Sequence, residues 1–114
     1  MFKDINDKDC KKMQLGMEYT QIPDSDISAS SELPLSPAHH ARLGYPGGWC
    51  GDPGFSGTLY LQVDLTQAYF ICAIATQGHF KDNKGFVKKY RLQYSEDRTA
   101  WTFYRPQSGS EVCY

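Results

Sequence analysis

The chain has 114 residues, one domain's worth of sequence: enough for a hydrophobic core and too little for two. Its 12 basic and 13 acidic side chains leave a formal charge of -1, which excludes the strongly basic footprint of a nucleic-acid binder, so no nucleic-acid partner is expected. Aromatics make up 14% of the residues, a composition that suits short strands, and ten Gly with six Pro supply the turns between them.

In chain order, residues 1–9 are charged and read as a flexible polar lead-in, too hydrophilic for the apolar core of a signal peptide. The structured part is expected from residue 10 to residue 114. Pro23-Asp24-Ser25-Asp26 is turn chemistry, in which an Asp side chain bonds nearby backbone; paired carboxylates also suit calcium, but the turn reading is preferred and no metal is expected. Ser36-Pro37-Ala38 begins a turn or a single helical turn, and Pro46-Gly47-Gly48 is a second turn signal. The adjacent His39 and His40 point to opposite faces of an extended chain and make a poor metal pair.

Strand signals follow. Residues 58–65 alternate, Leu59, Leu61, Val63 and Leu65 on one face and Tyr60, Gln62 and Asp64 on the other, as a half-buried strand does. Residues 68–76 are almost continuously apolar and predict a strand buried on both sides. In residues 87–94, Tyr90, Leu92 and Tyr94 oppose Lys89, Arg91 and Gln93, so aromatics face the sheet and charge faces water. After the turn at residues 95–99, residues 101–104 (Trp-Thr-Phe-Tyr) give one more short strand. No long amphipathic helix fits and no run approaches the roughly 20 apolar residues of a membrane span, so the fold class is all-β, a sandwich or barrel of antiparallel strands.

The chemistry-bearing residues are sparse. Cys10, Cys50, Cys72 and Cys113 lie too far apart for zinc-ribbon or thioredoxin spacing. Cys72 sits in an apolar run and reads as a buried thiol, leaving Cys10, Cys50 and Cys113 for disulfide pairing, either Cys50 or Cys10 with Cys113. No phosphate-binding glycine loop, nucleophile elbow or zinc-protease helix is present, so no enzyme activity and no cofactor are expected. Lys81, Lys84, Lys88, Lys89 and Arg91 cluster against the single acid Asp82; such a run is either a solvated face or a patch for an anionic ligand. Arg42 and Asp64 interrupt apolar blocks and are read as a structural ion pair or network. Gln62 and Gln77 read as partners for loop backbone.

Six blocks in order carry a specific resemblance: Leu15-Gly16-Met17-Glu18; residues 22–31, IPDSDISASS; Ala41-Arg42-Leu43; Leu61-Gln62-Val63-Asp64-Leu65; Thr76-Gln77-Gly78; and Tyr94-Ser95-Glu96-Asp97 with Trp101. Together they resemble the discoidin, or coagulation factor 5/8 type C, family, and residues 22–31 with Trp49-Cys50 are most similar to the discoidin domain receptors. The resemblance implies a jelly-roll-like β-sandwich with ligand-binding loops at one end and a first cysteine, Cys10, bonded to one at the end of the domain. The family pattern runs on past the Trp101 strand, so the chain reads as a partial domain lacking its last strands, and self-association through unpaired edge strands is expected.

That resemblance implies an extracellular or cell-surface binding and adhesion module whose partner is a matrix protein of the collagen type. The alternatives are an anionic phospholipid surface, as for coagulation-factor modules, or a glycan. Leu33 stands near a Trp of the collagen receptors and His79 where they carry Arg. Two loops with apolar tips beside a basic segment place the expected ligand contacts at Glu32, Leu33, Leu35, His79, Phe80, Lys81 and Lys84.

Overall fold

A computed structural model of the chain describes residues 15–17, 20–71, 73–78 and 85–105. The chain divides between two compact units, one formed by Met13–Leu65 and Ala75–Phe86, the other by Met1–Lys12, Thr66–Ile74 and Val87–Tyr114.

In the first unit, two antiparallel strands, β1 (Ile27–Ala29) and β2 (Leu61–Val63), pair with Ile27 opposite Val63 and Ala29 opposite Leu61. The ladder continues past the strands: Asp64 N–H donates to Asp26 O at 2.8 Å and Ser30 N–H to Tyr60 O at 3.0 Å. Short 3-10 turns at Asp24–Asp26 and Ala38–Ala41 flank it, each entered from a proline whose fixed φ presets the turn. The second of these is the helical turn foreseen after Ser36. Ile22, Ile27 and Ala38 form the buried core, and Leu15, Met17, Ala29, Trp49, Leu61, Val63 and Leu65 pack against it. Leu61, Val63 and Leu65 thus lie on the face their alternation predicts, while Leu59 is exposed. Gly16 adopts φ +105, where a side chain is strained, and a Cβ there would come within 2.6 Å of Gln21 Cβ.

Among the described residues of this unit, Arg42 is the buried charge. Its guanidinium donates to Ile22 O at 2.6 Å and to Asp24 Oδ1 at 2.6 and 3.2 Å. One carboxylate against it is that of Asp24, the residue read as turn chemistry. Asp64 is half-buried beside β2. Asp24 serves the turn through this pairing, and the adjacent guanidinium holds its carboxyl below the ordinary value.

The second unit contains β3 (Gln93–Tyr94) and β4 (Thr102–Phe103), antiparallel, with Gln93 opposite Phe103 and Tyr94 opposite Thr102. Tyr104 N–H donates to Leu92 O at 2.9 Å and carries the register onward. Tyr90, Leu92 and Tyr94 are half-buried, whereas Lys89, Arg91 and Gln93 are exposed, as the alternation predicts. The connecting turn is organised by Asp97, whose carboxylate accepts from the N–H groups of Thr99 and Ala100 and from the Ser95 hydroxyl, each at 2.9 Å. These donors depress its pKa far below the carboxylate range.

Two expectations are corrected. Residues 68–76 were expected as a doubly buried strand, yet their described members enter no sheet, and Phe70 and Ile74 are exposed. Thr66, at φ 63, ends the extended course of β2, so the apolar run leaves that ladder, and a run without ladder neighbours is not a strand however apolar it is. The remaining strands are also shorter than alternation suggests, because side-chain pattern persists beyond the residues that find backbone partners. The described residues are all-β with 3-10 turns and contain no α-helix.

Candidate functional site

The described part of the predicted ligand loops is a clamped tip. Ser36 N–H donates to Leu33 O at 2.9 Å, closing a turn across Leu33-Pro34-Leu35-Ser36 in which Pro34 occupies the position its ring favours. Two bonds brace this turn against Cys50, Leu33 N–H to Cys50 O at 2.9 Å and Cys50 N–H to Ser36 O at 3.1 Å. Trp49 Nε1–H donates to Ser31 O at 2.9 Å, and Asp52 N–H to Ser31 Oγ at 3.0 Å. The clamp leaves Leu35 90% exposed at the apex, so its apolar surface contributes nothing to the core and is available to a partner.

A second loop grows from the same anchor. Asp52 accepts from Gly54 N–H through Oδ1 at 2.8 Å and from Phe55 N–H through its carbonyl at 3.0 Å, a turn with Pro53 at its first corner. Phe55 is exposed, and its ring lies 2.8 Å from where a Cβ on Gly57 would stand, so glycine at 57 makes room for the aromatic. Loops 31–37 and 50–57 are thus hydrogen-bonded to each other through Ser31, Leu33, Ser36, Cys50 and Asp52, and present Leu33, Leu35 and Phe55.

Among the sequence-predicted contacts, Leu33 and Leu35 lie in this platform. Glu32 holds it from behind: its Oε2 accepts from Ala38 N–H at 2.6 Å, satisfying a donor at the start of the second 3-10 turn. Glu32 is accordingly a positioning residue here. His79, Phe80, Lys81 and Lys84 lie outside the described residues, as do Cys10, Cys72 and Cys113. Cys50, expected as one possible disulfide partner, is a free, half-buried thiol whose backbone carries the clamp. Gln77 does serve loop backbone, accepting from Gly44 N–H at 2.9 Å and donating to Tyr45 O at 3.3 Å. His39 and His40 meet edge to face within the 3-10 turn at 4.8 Å, and His40 stacks on Tyr45 at 4.4 Å, with their polar atoms 3.1 Å apart. They do not lie along an extended chain, as expected, because Pro37 starts a helical turn there. Sequence reasoning missed Asp52 and Phe55 as site residues, although Asp-Pro-Gly is a turn signature and an aromatic one residue beyond it is a candidate for display.

The electrostatics of the two units differ. Residues 13–65 and 75–86 carry seven acidic and three basic side chains, a formal charge of -4, with Lys81 and Lys84 already counted. Residues 1–12, 66–74 and 87–114 carry nine basic and six acidic side chains, a formal charge of +3. The loop platform therefore belongs to the acidic unit.

An all-β scaffold that displays braced loops with exposed apolar tips has the organisation of a binding module. The sequence profile of the F5/8 type C domain matches residues 26–112, and the chain belongs to that family, one of extracellular binding modules. It is similar to epithelial discoidin domain-containing receptor 1 of Homo sapiens, 41% identical over 106 residues, covering 86% of this chain and 12% of the receptor. Discoidin domain-containing receptor A of Caenorhabditis elegans is 31% identical over 110 residues, covering 88% of this chain and 14% of that protein. Coagulation factor V of Mus musculus is 33% identical over 118 residues, covering 96% of this chain and 5% of the factor. The chain thus spans at most about a seventh of the length of these relatives.

Proposed function

We propose that this chain is a non-catalytic adhesion module, with the jelly-roll strand order that its resemblance implies, acting outside the cell or at its surface. Its ligand is a matrix protein of the collagen type, bound by loops 31–37 and 50–57. Phe80, Lys81, Lys84 and His79 of the sequence-predicted second loop extend the contact. The observation that carries this reading is the clamped tip with Leu35 90% exposed beside Phe55, an apolar surface held in place before any ligand arrives. Charge separates the protein ligand from the lipid one. The unit bearing the tip has a formal charge of -4, and like charge disfavours approach to an anionic bilayer.

The test is solid-phase binding to fibrillar collagen beside sedimentation with phosphatidylcholine vesicles, with and without phosphatidylserine. The wild-type chain binds collagen and neither vesicle, and Leu35→Asp or Phe55→Ala reduces collagen binding. Sedimentation with phosphatidylserine vesicles that is lost in Leu35→Asp would replace this reading by the membrane one.

A further inference from the structure

The β3–β4 hairpin has two faces, and only one is turned toward its unit. With Gln93 opposite Phe103, and with the Tyr104-to-Leu92 hydrogen bond continuing the register, Arg105 falls across from Arg91. Period-2 alternation then gathers Lys89, Arg91 and Gln93 of one strand with Trp101, Phe103 and Arg105 of the other on a single face, and all six are exposed. Trp101 is 42% and Phe103 46% exposed, although aromatics are the side chains that gain most from burial. The Arg91 guanidinium lies 5.9 Å from the Phe103 ring centroid, so cation and aromatic share one surface rather than merely one strand. Side chains of like position along a strand recur about every 7 Å and neighbouring strands lie about 5 Å apart, which makes this face a flat strip of cations between aromatic plates. It belongs to the unit whose formal charge is +3.

We propose that this face binds a sulfated polysaccharide, at a site separate from the loop platform and independent of its ligand. Three features select that chemistry. Arg91 and Arg105, set across one another, offer planar guanidinium forks that match tetrahedral oxyanions such as sulfate. Trp101 and Phe103 offer flat rings against which the C–H faces of sugar rings stack, as a folded anionic peptide would not require. The face is a flat strip in which cations alternate with aromatic rings, which fits a linear anionic polymer.

The experiment uses the whole chain on immobilised heparin and, in parallel, on a sulfopropyl cation exchanger, with affinities for size-defined heparin fragments measured across a salt series. Wild-type protein elutes from heparin at higher salt than from the exchanger. Arg91→Gln with Arg105→Gln lowers the slope of log affinity against log salt by about 0.7–0.9 per cation removed. Trp101→Ala weakens binding at fixed salt while leaving that slope unchanged, the signature of a stacking contact. Gln93→Lys, which adds a cation between Arg91 and Trp101 without removing anything, raises affinity and guards against variants that merely unfold. Equal elution from both matrices, or an unchanged affinity in the Arg91 and Arg105 double variant, would overturn the proposal. So would phosphatidylserine vesicles competing as well as heparin. Leu35→Asp retains wild-type heparin binding whether or not the loop platform binds collagen, so failure of either reading is visible separately.

Discussion

Replacing Arg42 tests how the acidic unit is held together. Its side chain is 9% exposed, and its guanidinium joins Ile22 O, in the core, to Asp24, whose side chain is 60% exposed. Arg42→Ala removes both the guanidinium and the two stem methylenes beyond Cβ. Orphaning a buried carbonyl costs about 1–3 kcal/mol, and two buried methylenes contribute about 1.6 kcal/mol, so a loss of about 3–4 kcal/mol is expected. Arg42→Met keeps most of the stem and also relieves the desolvation of a buried cation, which offsets part of the cost, leaving about 1–2 kcal/mol. Against a typical domain stability of about 5–15 kcal/mol, the alanine variant is severely weakened and the methionine variant moderately so. Urea unfolding followed by the fluorescence of Trp49, which packs against the core, reads both. A methionine variant within about 0.5 kcal/mol of wild type would show that the Ile22 carbonyl does not depend on Arg42. The pair also sets an acid limb. The folded pKa of Asp24 is depressed by its hydrogen bond to Arg42, so its contribution is fully present above the unfolded value near 3.8 and is lost as pH falls through the folded one. Asp24→Asn should therefore be less stable than wild type at neutral pH and show a shallower loss on acidification.

Glu32→Ala removes the acceptor for Ala38 N–H and should cost about 1 kcal/mol, as loss of a helix cap does, together with faster amide exchange at Ala38; unchanged exchange would refute the positioning role. Trp49→Phe keeps the ring in the core but deletes the donor to Ser31 O, and should cost about 1 kcal/mol while weakening ligand binding more than Leu61→Ala does at matched stability. Asp97→Ala should speed amide exchange at Thr99 and Ala100. Because the folded pKa of Asp97 is depressed, wild-type protection of those amides should persist below pH 3.8 and fade only on further acidification; loss already at pH 4 would contradict the assignment. The exposure of Phe70, Ile74, Phe86 and Val87 predicts concentration-dependent self-association in sedimentation velocity, and a strict monomer at all concentrations would count against it.

Much of the scaffold was legible because it rests on local rules. Alternation at Tyr90, Leu92 and Tyr94 and at Leu61, Val63 and Leu65 depends only on the pleat, and both sets face inward. The proline turns at 23 and 37 follow from a fixed φ. Residues 68–76 misled because apolar continuity reports a wish for burial, while strand formation requires a neighbour whose backbone completes the ladder, and a single non-glycine residue at positive φ, Thr66, redirects the chain. Arg42 was recognisable as a buried charge needing a partner, but its contact with Asp24 depends on two segments 18 residues apart meeting in space. At the site, Leu33 and Leu35 were visible as apolar residues in a proline turn. The bond from Ala38 N–H to Glu32 was not visible, because an acidic side chain in a loop gives no sign of the backbone donor it will meet.

The central claim, that the braced loops form a binding surface, is tested most directly by backbone amide shifts of the labelled chain titrated with a triple-helical collagen-like peptide. The largest changes should fall at Leu33, Leu35, Ser36, Asp52 and Phe55, with residues 91–105 unmoved. Saturable binding whose shifts are confined to residues 91–105, with the loops unaffected, would contradict the account.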